Sequence, residues 1–373
     1  MLKGSLLAVD VGGGTQDIFI WEPGQTVENG VKLVLPAPTQ VLARRVRRLT
    51  AQGRAIFLNG RVMGGGAVTA AVRSHMGHGL SVYATPQAAL TFSDRLEIMA
   101  EWEMNLTETP PPGVETLTLG DVDLDSLRRM LAAFEVPFPE HFAVAVQDHG
   151  FHPQGSNRRF RFQCWENFLE HGGRLADLAY RQPPGHFTRM AAVAEAVPGA
   201  LLMDTCAAGV RGALLDPQAQ EHLESGLTVV NVGNAHTFAA LVRGDRLWGI
   251  YEHHTGLLSP DKLFSHVDRF QQGKLTNTEI FADQGHGCAY VPDFSPAGAY
   301  AFTIITGPRR RLAQGWPGVM AAPFGDMMLS GCFGLVAAFL EQEQYPMDLA
   351  QFLIRDSHRA KVKARGVNPI RQD

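Results

Sequence analysis

The chain has 373 residues, of which 45% are hydrophobic and 19% are charged, and its formal net charge at pH 7 is −4. This length favours two domains, and the balance of residues is that of a globular protein. The small negative charge excludes a strongly basic surface, so we expect no nucleic acid among the partners.

Neither a membrane-spanning segment nor a cysteine motif is indicated by the sequence. No apolar run reaches the roughly 18–20 residues that span a bilayer, and Asp10 interrupts the apolar N-terminal stretch before any signal-peptide cleavage pattern. We therefore expect a cytoplasmic protein without a membrane partner. The four cysteines are far apart and form no CxxC array, which predicts buried free thiols and excludes a cysteine-ligated iron–sulfur cluster.

The stretch Leu6–Glu22 has the sequence LLAVDVGGGTQDIFIWE, in which two apolar runs flank a glycine turn. The pattern predicts a strand, a tight turn and an antiparallel return strand. Because glycines lack side chains, the turn exposes backbone N–H groups to an anionic ligand, and Asp10 is placed to hold Mg²⁺. A glycine-rich turn without a ligand is the alternative. The candidate phosphate-binding residues here are Gly12, Gly13, Gly14 and Thr15.

The next elements alternate between strands and helices. The sequence predicts strands over Val31–Pro36, Ala55–Leu58 and Leu80–Ala84, and helices over Thr39–Gly53 and Gly64–His75. A three-strand meander followed by crossover units predicts one mixed sheet flanked by helices. The glycines at 64–66 also permit a dinucleotide-type phosphate site, although no acidic residue stands about 20 positions further on to hold a ribose.

The middle of the chain is less regular, and we expect an inserted segment around residues 88–140. Beyond it, Val144–Val146 is a predicted buried strand that ends in the polar turn Gln147-Asp148-His149-Gly150. Asp148 and His149 are candidate acid–base residues, because functional side chains gather at strand ends on such sheets.

The pattern of the opening hairpin recurs about 220 residues later. Ala8–Trp21 and Val229–Val242 (VVNVGNAHTFAALV) align so that Asn231 takes the place of Asp10. Gly233 and Asn234 are then the second pair of candidate phosphate-binding residues. The repeat predicts related domains at 1–215 and 226–345, followed by a C-terminal helix or tail at 346–373. Chance similarity between two hairpins is the alternative.

These hairpins and the later strand and turn Ile304-Ile305-Thr306-Gly307 resemble the actin, sugar kinase and Hsp70 ATPase superfamily. The resemblance implies an α/β fold of duplicated RNase H-like domains, whose mixed sheets are flanked by helices and enclose an ATP cleft. It implies that the two hairpins embrace the phosphates and that Thr306 and Gly307 lie against the adenosine. Asn231 stands where that superfamily carries a carboxylate, which weakens Mg²⁺ binding and argues against hydrolysis.

Eight segments spread over the chain are distinctive together. They are MGGG (63–66), VYATPQAA (82–89), QDHG (147–150), RRFRF (158–162), VNVGNAHT (230–237), EHHTG (252–256), GHG (285–287) and TGPRR (306–310). They are similar to a narrower family that is labelled pyruvate formate-lyase activating enzyme. The label implies a radical S-adenosylmethionine enzyme, but that chemistry needs a three-cysteine cluster site, which this sequence lacks. We accept the family and reject the activity.

Histidines concentrate in glycine-bearing turns and at strand ends. His149, His236, His253, His254 and His286 are all placed in this way. Imidazoles there can serve as metal ligands, acid–base groups or phosphate contacts. Adjacent residues of a strand point to opposite faces, so at most one of His253 and His254 is expected in a shared site. A structural hydrogen-bonding role is the alternative for each histidine taken singly.

We expect an enzyme that binds ATP or a phosphate ligand with Mg²⁺, either a phosphotransferase or an ATP-dependent group transferase. Its partner would be a nucleotide or a phosphorylated small molecule. The candidate catalytic residues are Asp10, Asp148, His149 and His236. The candidate metal ligands are Asp10, for Mg²⁺, and His253 and His254. One alternative is Fe- or Zn-dependent group transfer on the same fold, in which the histidine cluster holds the metal. The other is a non-catalytic nucleotide-binding regulatory protein.

Overall fold

The computed structural model describes residues 3–296 and 298–345, and the predicted C-terminal helix or tail at 346–373 lies outside them. The strands of the described part are β1 (Leu6–Val11), β2 (Thr15–Trp21), β3 (Val31–Pro36), β4 (Ile56–Gly60), β5 (Val82–Ala84), β6 (Asn105–Leu106), β7 (Glu115–Leu119), β8 (His141–Val146), β9 (Ala179–Tyr180), β10 (Leu201–Met203), β11 (Leu227–Val232), β12 (His236–Arg243), β13 (Arg246–His254), β14 (Gly287–Tyr290), β15 (Thr303–Thr306) and β16 (Val319–Met320). The helices are α1 (Pro38–Ala51), α2 (Gly66–Gly77), α3 (Pro86–Ala89), α4 (Glu97–Glu101), α5 (Leu124–Ala132), α6 (Asn157–Glu170), α7 (Thr188–Ala196), α8 (Thr205–Ala213), α9 (Pro217–His222), α10 (Pro260–Gln271), α11 (Asn277–Ala282) and α12 (Ser330–Gln342).

Two sheets share the order of five strands, which is β3-β2-β1-β8-β10 in the first and β13-β12-β11-β15-β16 in the second. The first sheet runs β3-β2-β1-β8-β10-β9, and the second runs β14-β13-β12-β11-β15-β16. Each sheet begins with an antiparallel meander, and a later strand then pairs in parallel with the first strand of that meander. This later strand is β8, beside β1, in the first sheet and β15, beside β11, in the second. This is the RNase H-like arrangement twice over. The predicted α/β fold of duplicated RNase H-like domains is therefore confirmed, and the two glycine hairpins occupy equivalent places in it.

The hairpin of β1 and β2 forms because both of its faces are covered. Leu7 and Val9 point to a core on one side, whereas Leu6 and Ala8 point to the core that the first and second sheets share. Strands covered on both faces read as continuous apolar runs, which is how LLAVDV appears in the sequence. Asp10 lies on the same face as Leu6 and Ala8, near the end of β1.

A third sheet was not expected. Strands β4 and β5, predicted to extend the opening meander, instead form a separate parallel sheet in the order β6-β5-β4-β7, with its own core. The expectation of one mixed sheet is wrong here, because an apolar crossover strand has the same pattern whichever sheet receives it. The added segment thus begins before the predicted interval of 88–140, at about the start of β4.

Two helices lie between the first and second sheets and touch through their backbones. A Cβ added to Gly212 of α8 would overlap the carbonyl oxygen of Ser330, and one added to Gly334 of α12 would overlap that of Ala208. Glycine is therefore required at both positions for the helices to approach so closely. From Ser330 to Leu340, every residue of α12 is buried. The two helices join the sheets into one core beneath the cleft.

No helix in the described ranges combines the length and the apolar character that crossing a membrane requires.

Candidate functional site

The two glycine turns have the same hydrogen bond. In the first, the Gly12 N–H donates to the Thr15 carbonyl over 2.9 Å, and in the second the Gly233 N–H donates to the His236 carbonyl over 2.9 Å. A Cβ on Gly233 would lie 2.6 Å from that His236 oxygen, which is too close for any side chain. The closed turn explains why glycine recurs at this position of both hairpins.

The turns face each other across the space between the sheets. A Cβ built on Gly13 would lie 3.7 Å from the Cβ of Ala235, and one built on Gly14 would lie 2.6 Å from Nδ2 of Asn234. The repeat in the sequence thus produces two similar backbone turns directed at one another.

Beneath the turns lies a cavity of about 470 Å³. This volume is within the range of small-molecule pockets. Gly14, His253 and His254 are not part of its wall, although the sequence marked all three as site residues. The predicted residues that do line it are Asp10, Gly12, Gly13, Thr15, Asp148, His149, Gly233, Asn234, His236, Thr306 and Gly307.

Two carboxylates stand close together in this cavity. Asp10 and Asp17 are paired across β1 and β2, and both line the cavity. The Thr205 hydroxyl donates a hydrogen bond to Asp10 Oδ1, and Asp10 Oδ2 occupies the space where a Cβ on Gly331 would be. Oδ1 of Asp17 has no hydrogen-bond partner among the described residues. Sequence reasoning missed Asp17, whose only signal was a charged residue in an otherwise apolar strand.

Burial alters the protonation of both groups. It raises the pKa of Asp10 to about 7, with a further contribution from Asp204, and it raises the pKa of Asp17 to about 8, with a further contribution from Asp10. The charge of Asp10 therefore makes Asp17 harder to ionise. A site of this kind favours a proton or a cation between the two groups.

Asp148 has a different position from the one that an acid–base role suggests. Its Oδ1 accepts a hydrogen bond from the Gly150 N–H and its Oδ2 accepts one from the Met190 N–H, both at 2.9 Å. These bonds attach the loop after β8 to the first turn of α7. The predicted acid–base role of Asp148 stays a prediction, since the structure shows the carboxyl group holding this loop.

Asn231 and Thr306 are held in place by close packing. A Cβ on Gly209 would lie 2.6 Å from Nδ2 of Asn231, and one on Gly307 would lie 2.5 Å from its Oδ1. The amide is therefore wedged between two glycines at the cavity wall. The hydroxyl of Thr306 lies 3.3 Å from that of Ser330 and is buried.

Three histidines meet beside the cavity, and two of them, His149 and His236, line it. Nε2 of His149 lies 3.1 Å from Nε2 of His286, and one ring nitrogen of His236 completes a group whose members all lie within 4.8 Å of one another. His286 follows α11 and precedes β14, and the sequence placed it only among the turn histidines. Its role at this cluster depends on tertiary structure, which brings β8, β12 and β14 together.

The candidate metal ligands His253 and His254 do not enter one site. The ring of His254 lies 4.7 Å from that of His286, whereas His253 points to the opposite face of β13 and its Nε2 lies 3.0 Å from Oδ2 of Asp283. The two rings lie on different sides of the sheet because successive side chains along a strand point to opposite faces.

A buried charge network supports the histidines. Arg161 Nε donates to Glu252 Oε2 over 2.7 Å, and Arg161 Nη1 donates to Asp204 Oδ2 over 2.8 Å. Gln147 Nε2 donates to the other Glu252 oxygen over 2.7 Å. These residues join α6 to the ends of strands in both sheets. Arg161 and Glu252 lie in two of the distinctive segments, RRFRF and EHHTG, but sequence reasoning assigned neither of them to the site.

Charge and burial keep the histidines neutral. Burial and the nearby Arg161 guanidinium place the pKa of His149 well below its usual value. Burial lowers the pKa of His236 to about 4 and that of His286 to about 3. Burial alone would raise the pKa of Glu252, but Arg161 and the imidazoles hold it well below its usual range. At neutral pH the cluster therefore combines uncharged imidazoles with an ionised carboxylate.

The strand order, repeated in two sheets, defines a protein with a duplicated RNase H-like fold. A family model described as "Putative pyruvate format-lyase activating enzyme (DUF1786)" matches residues 63–312, which is more than half of the chain, and the chain belongs to this family. All four cysteines are free, and none belongs to a potential metal-binding group among the described residues. Their placement provides no three-cysteine site of the kind that the family's label implies.

Three solved structures resemble this chain at low sequence identity and low TM-score. A member of the Ppx/GppA family from Aquifex aeolicus is 11% identical, with 96% of this chain and 98% of that chain covered and a TM-score of 0.28. An exopolyphosphatase-like protein is 10% identical over 81% of this chain and 66% of that chain, with a TM-score of 0.25. An acetone carboxylase is 8% identical, with 66% of this chain and 45% of that chain covered and a TM-score of 0.22. No protein with a curated description matches the sequence.

Proposed function

We propose that this protein binds the phosphate chain of a nucleotide together with Mg²⁺ between its two glycine turns, and that it catalyses phosphoryl transfer or ATP-dependent group transfer. One observation carries the proposal. The two glycine turns, each closed by the same kind of hydrogen bond, face each other, and Asp10 and Asp17 line the cavity beneath them. Turns of exposed backbone N–H groups suit phosphate oxygens. In this proposal, residues 1–215 and 226–345 are the two domains that enclose the ligand.

The acidic pair supports the choice of Mg²⁺. Magnesium prefers carboxylate and phosphate oxygens and binds with few protein ligands. Asp17 Oδ1 is a buried carboxylate oxygen without a partner among the described residues, and Asp10 lies beside it. A bound cation would offset the repulsion between the two carboxylates and the phosphate charge. The Thr205 hydroxyl and the close approach of Gly331 fix the orientation of Asp10.

One observation favours binding without rapid turnover. Asn231, the counterpart of Asp10 in the second hairpin, is neutral and wedged between Gly209 and Gly307. It supplies no second acidic group to orient a metal-bound water. A nucleotide-binding regulatory protein is therefore the second candidate, and an assay of phosphate release from bound ATP separates it from the first.

Isothermal titration of the full chain with Mg-ATP tests binding. We expect one site per chain, with weaker binding when EDTA removes Mg²⁺ and weaker binding by Asp10→Asn. Asp125→Asn, which removes a carboxylate from the exposed surface of α5, is the matched control and should bind as the wild type does. Absence of both heat and thermal stabilisation at millimolar Mg-ATP, in a folded sample, would contradict the proposal.

A further inference from the structure

We infer that His149, His236 and His286 form a binding site for a divalent transition-metal ion of the Zn²⁺ or Fe²⁺ type at the wall of the cleft. This site is separate from the proposed Mg²⁺ site at Asp10, and the inference does not depend on nucleotide binding. Imidazole nitrogen suits zinc and iron, whereas magnesium prefers oxygen ligands.

The spacing of the ring nitrogens is the first support. Zinc lies about 2.0–2.1 Å from histidine nitrogen, so two such ligands at a tetrahedral angle are about 3.3–3.4 Å apart. Nε2 of His149 and Nε2 of His286 are 3.1 Å apart, and the nitrogen of His236 lies within 4.8 Å of both. Small side-chain rotations would therefore bring all three nitrogens to one ion.

The surrounding charge is the second support. Arg161 carries one positive charge and contacts two carboxylates, those of Asp204 and Glu252. The network is buried and has one net negative charge beside three imidazoles, which a divalent cation would balance. Oε1 of Glu252 also lies 3.5 Å from Nδ1 of His236. That nitrogen has no hydrogen-bond partner among the described residues, and a small rotation of the ring would let it donate to Glu252, as metal-bound imidazoles commonly do to carboxylates.

The positions of the histidines give the site an open side. His149 follows β8 of the first sheet, whereas His236 begins β12 and His286 precedes β14 in the second. A bound ion would therefore connect the two sheets. His149 and His236 line the cavity, so a fourth coordination position would face the ligand space. Three protein ligands with one open position are typical of catalytic zinc sites.

Metal binding can be measured without any activity assay. The full chain is treated with a chelator, dialysed against Zn²⁺, and in an anaerobic arm against Fe²⁺, and its metal content is determined by elemental analysis. We expect one ion per chain and a rise in Tm on loading. Co²⁺ loading should give a visible absorption spectrum characteristic of nitrogen ligands.

The variants His149→Gln and His286→Gln test the assignment, since each removes one ring. Each should weaken Zn²⁺ affinity by about 100-fold or more, because even residues that only support a ligand are worth 10–100-fold. Each should also abolish the Tm rise and the Co²⁺ spectrum. His254→Gln is the matched control, because its ring adjoins the cluster but lies outside the three-ligand group, and it should bind metal as the wild type does.

Other outcomes would overturn the inference. Metal content far below one ion per chain in folded protein would show that the histidines only hydrogen-bond to one another. Equal metal binding by wild type and by both glutamine variants, or loss of binding in His254→Gln, would place the ion elsewhere. Asp10→Asn should keep its Zn²⁺ while losing Mg-ATP affinity, so failure of the metal site and failure of nucleotide binding are distinguishable.

Discussion

Asp10 and Asp17 are cross-strand partners in the first hairpin, and both side chains lie on its buried face. That face packs against α8, through the Thr205 hydroxyl on Asp10, and against α12, through the Cys332 thiol that donates to the Asp17 carbonyl. Two adjacent buried carboxylates are costly when both are ionised. Their proximity therefore makes a measurable prediction about stability.

Without Mg²⁺, the free energy of unfolding should fall as pH rises from 6.5 to 8.5. The raised pKa values, about 7 for Asp10 and about 8 for Asp17, mean that the folded protein keeps protons that the unfolded chain has already released. Stability then decreases with pH until both groups are ionised. The free energy of unfolding should fall by on the order of 2–3 kcal/mol over this range. Each group contributes about 1.36 kcal/mol per pH unit while it is still protonated in the folded protein. Urea denaturation at several pH values measures it.

The variants assign this pH dependence to its source. Asp17→Asn should remove the larger share of the slope, most of all above pH 7, and Asp10→Asn should remove a smaller share, because the pKa of Asp10 is the lower of the two. Asp125→Asn, which is exposed, should leave the slope as it is. Millimolar Mg²⁺ should also reduce the slope. An unchanged slope in the double variant of Asp10 and Asp17 would contradict the assignment.

The contact between α8 and α12 should tolerate no side chain at Gly334. A Cβ added there would overlap the carbonyl oxygen of Ala208, a backbone atom that cannot move aside by a side-chain rotation. We expect Gly334→Ala to reduce the free energy of unfolding by about 3 kcal/mol or more, since overpacking against rigid neighbours is costly. Gly77→Ala is the matched control, because nothing lies within 4 Å of its Cβ position. This control should be neutral or more stable by about 0.5–1 kcal/mol.

Removal of the Arg161 guanidinium should leave Asp204 and Glu252 buried without their common partner. Arg161→Met is therefore expected to lower the free energy of unfolding by about 3–5 kcal/mol. Arg54, whose ion pair with Glu115 is exposed, provides the comparison, and Arg54→Met should cost less than about 1 kcal/mol. Similar losses in the two variants would indicate that the buried network does not stabilise the fold as described.

The second glycine turn should be as important for nucleotide binding as the first. A Cβ on Gly233 would lie 2.6 Å from the His236 oxygen and would open the turn. Gly233→Ala should weaken Mg-ATP binding at least ~10-fold, equivalent to about 1.4 kcal/mol. Gly256→Ala, where nothing lies within 4 Å of the added Cβ, should bind as the wild type does. Titration calorimetry on both variants, with circular dichroism to verify folding, decides the matter.

The fold could be predicted from local patterns where these repeat. Two apolar runs around a glycine turn, occurring twice, were enough to indicate the duplicated sheets. The third sheet could not be predicted, because β4 and β5 carry the same apolar pattern as crossover strands of the first sheet. Only their pairing, which depends on distant parts of the chain, separates the two arrangements.

The site was predicted only in part, for a similar reason. Asp10 and the glycine turns are adjacent in the sequence, so their relation could be recognised there. His286, Glu252 and Arg161 come from different elements and meet only in the folded chain. Sequence spacing pointed to the neighbours His253 and His254, which strand geometry directs to opposite faces.

The most direct test of the phosphate cleft is a crystal structure of the full chain with a non-hydrolysable ATP analogue and Mn²⁺ in place of Mg²⁺. We predict phosphate density between the turns at 12–14 and 233–235, and an anomalous Mn²⁺ peak beside Asp10. A nucleotide ordered at another site, or a cleft without nucleotide at millimolar analogue, would contradict the account.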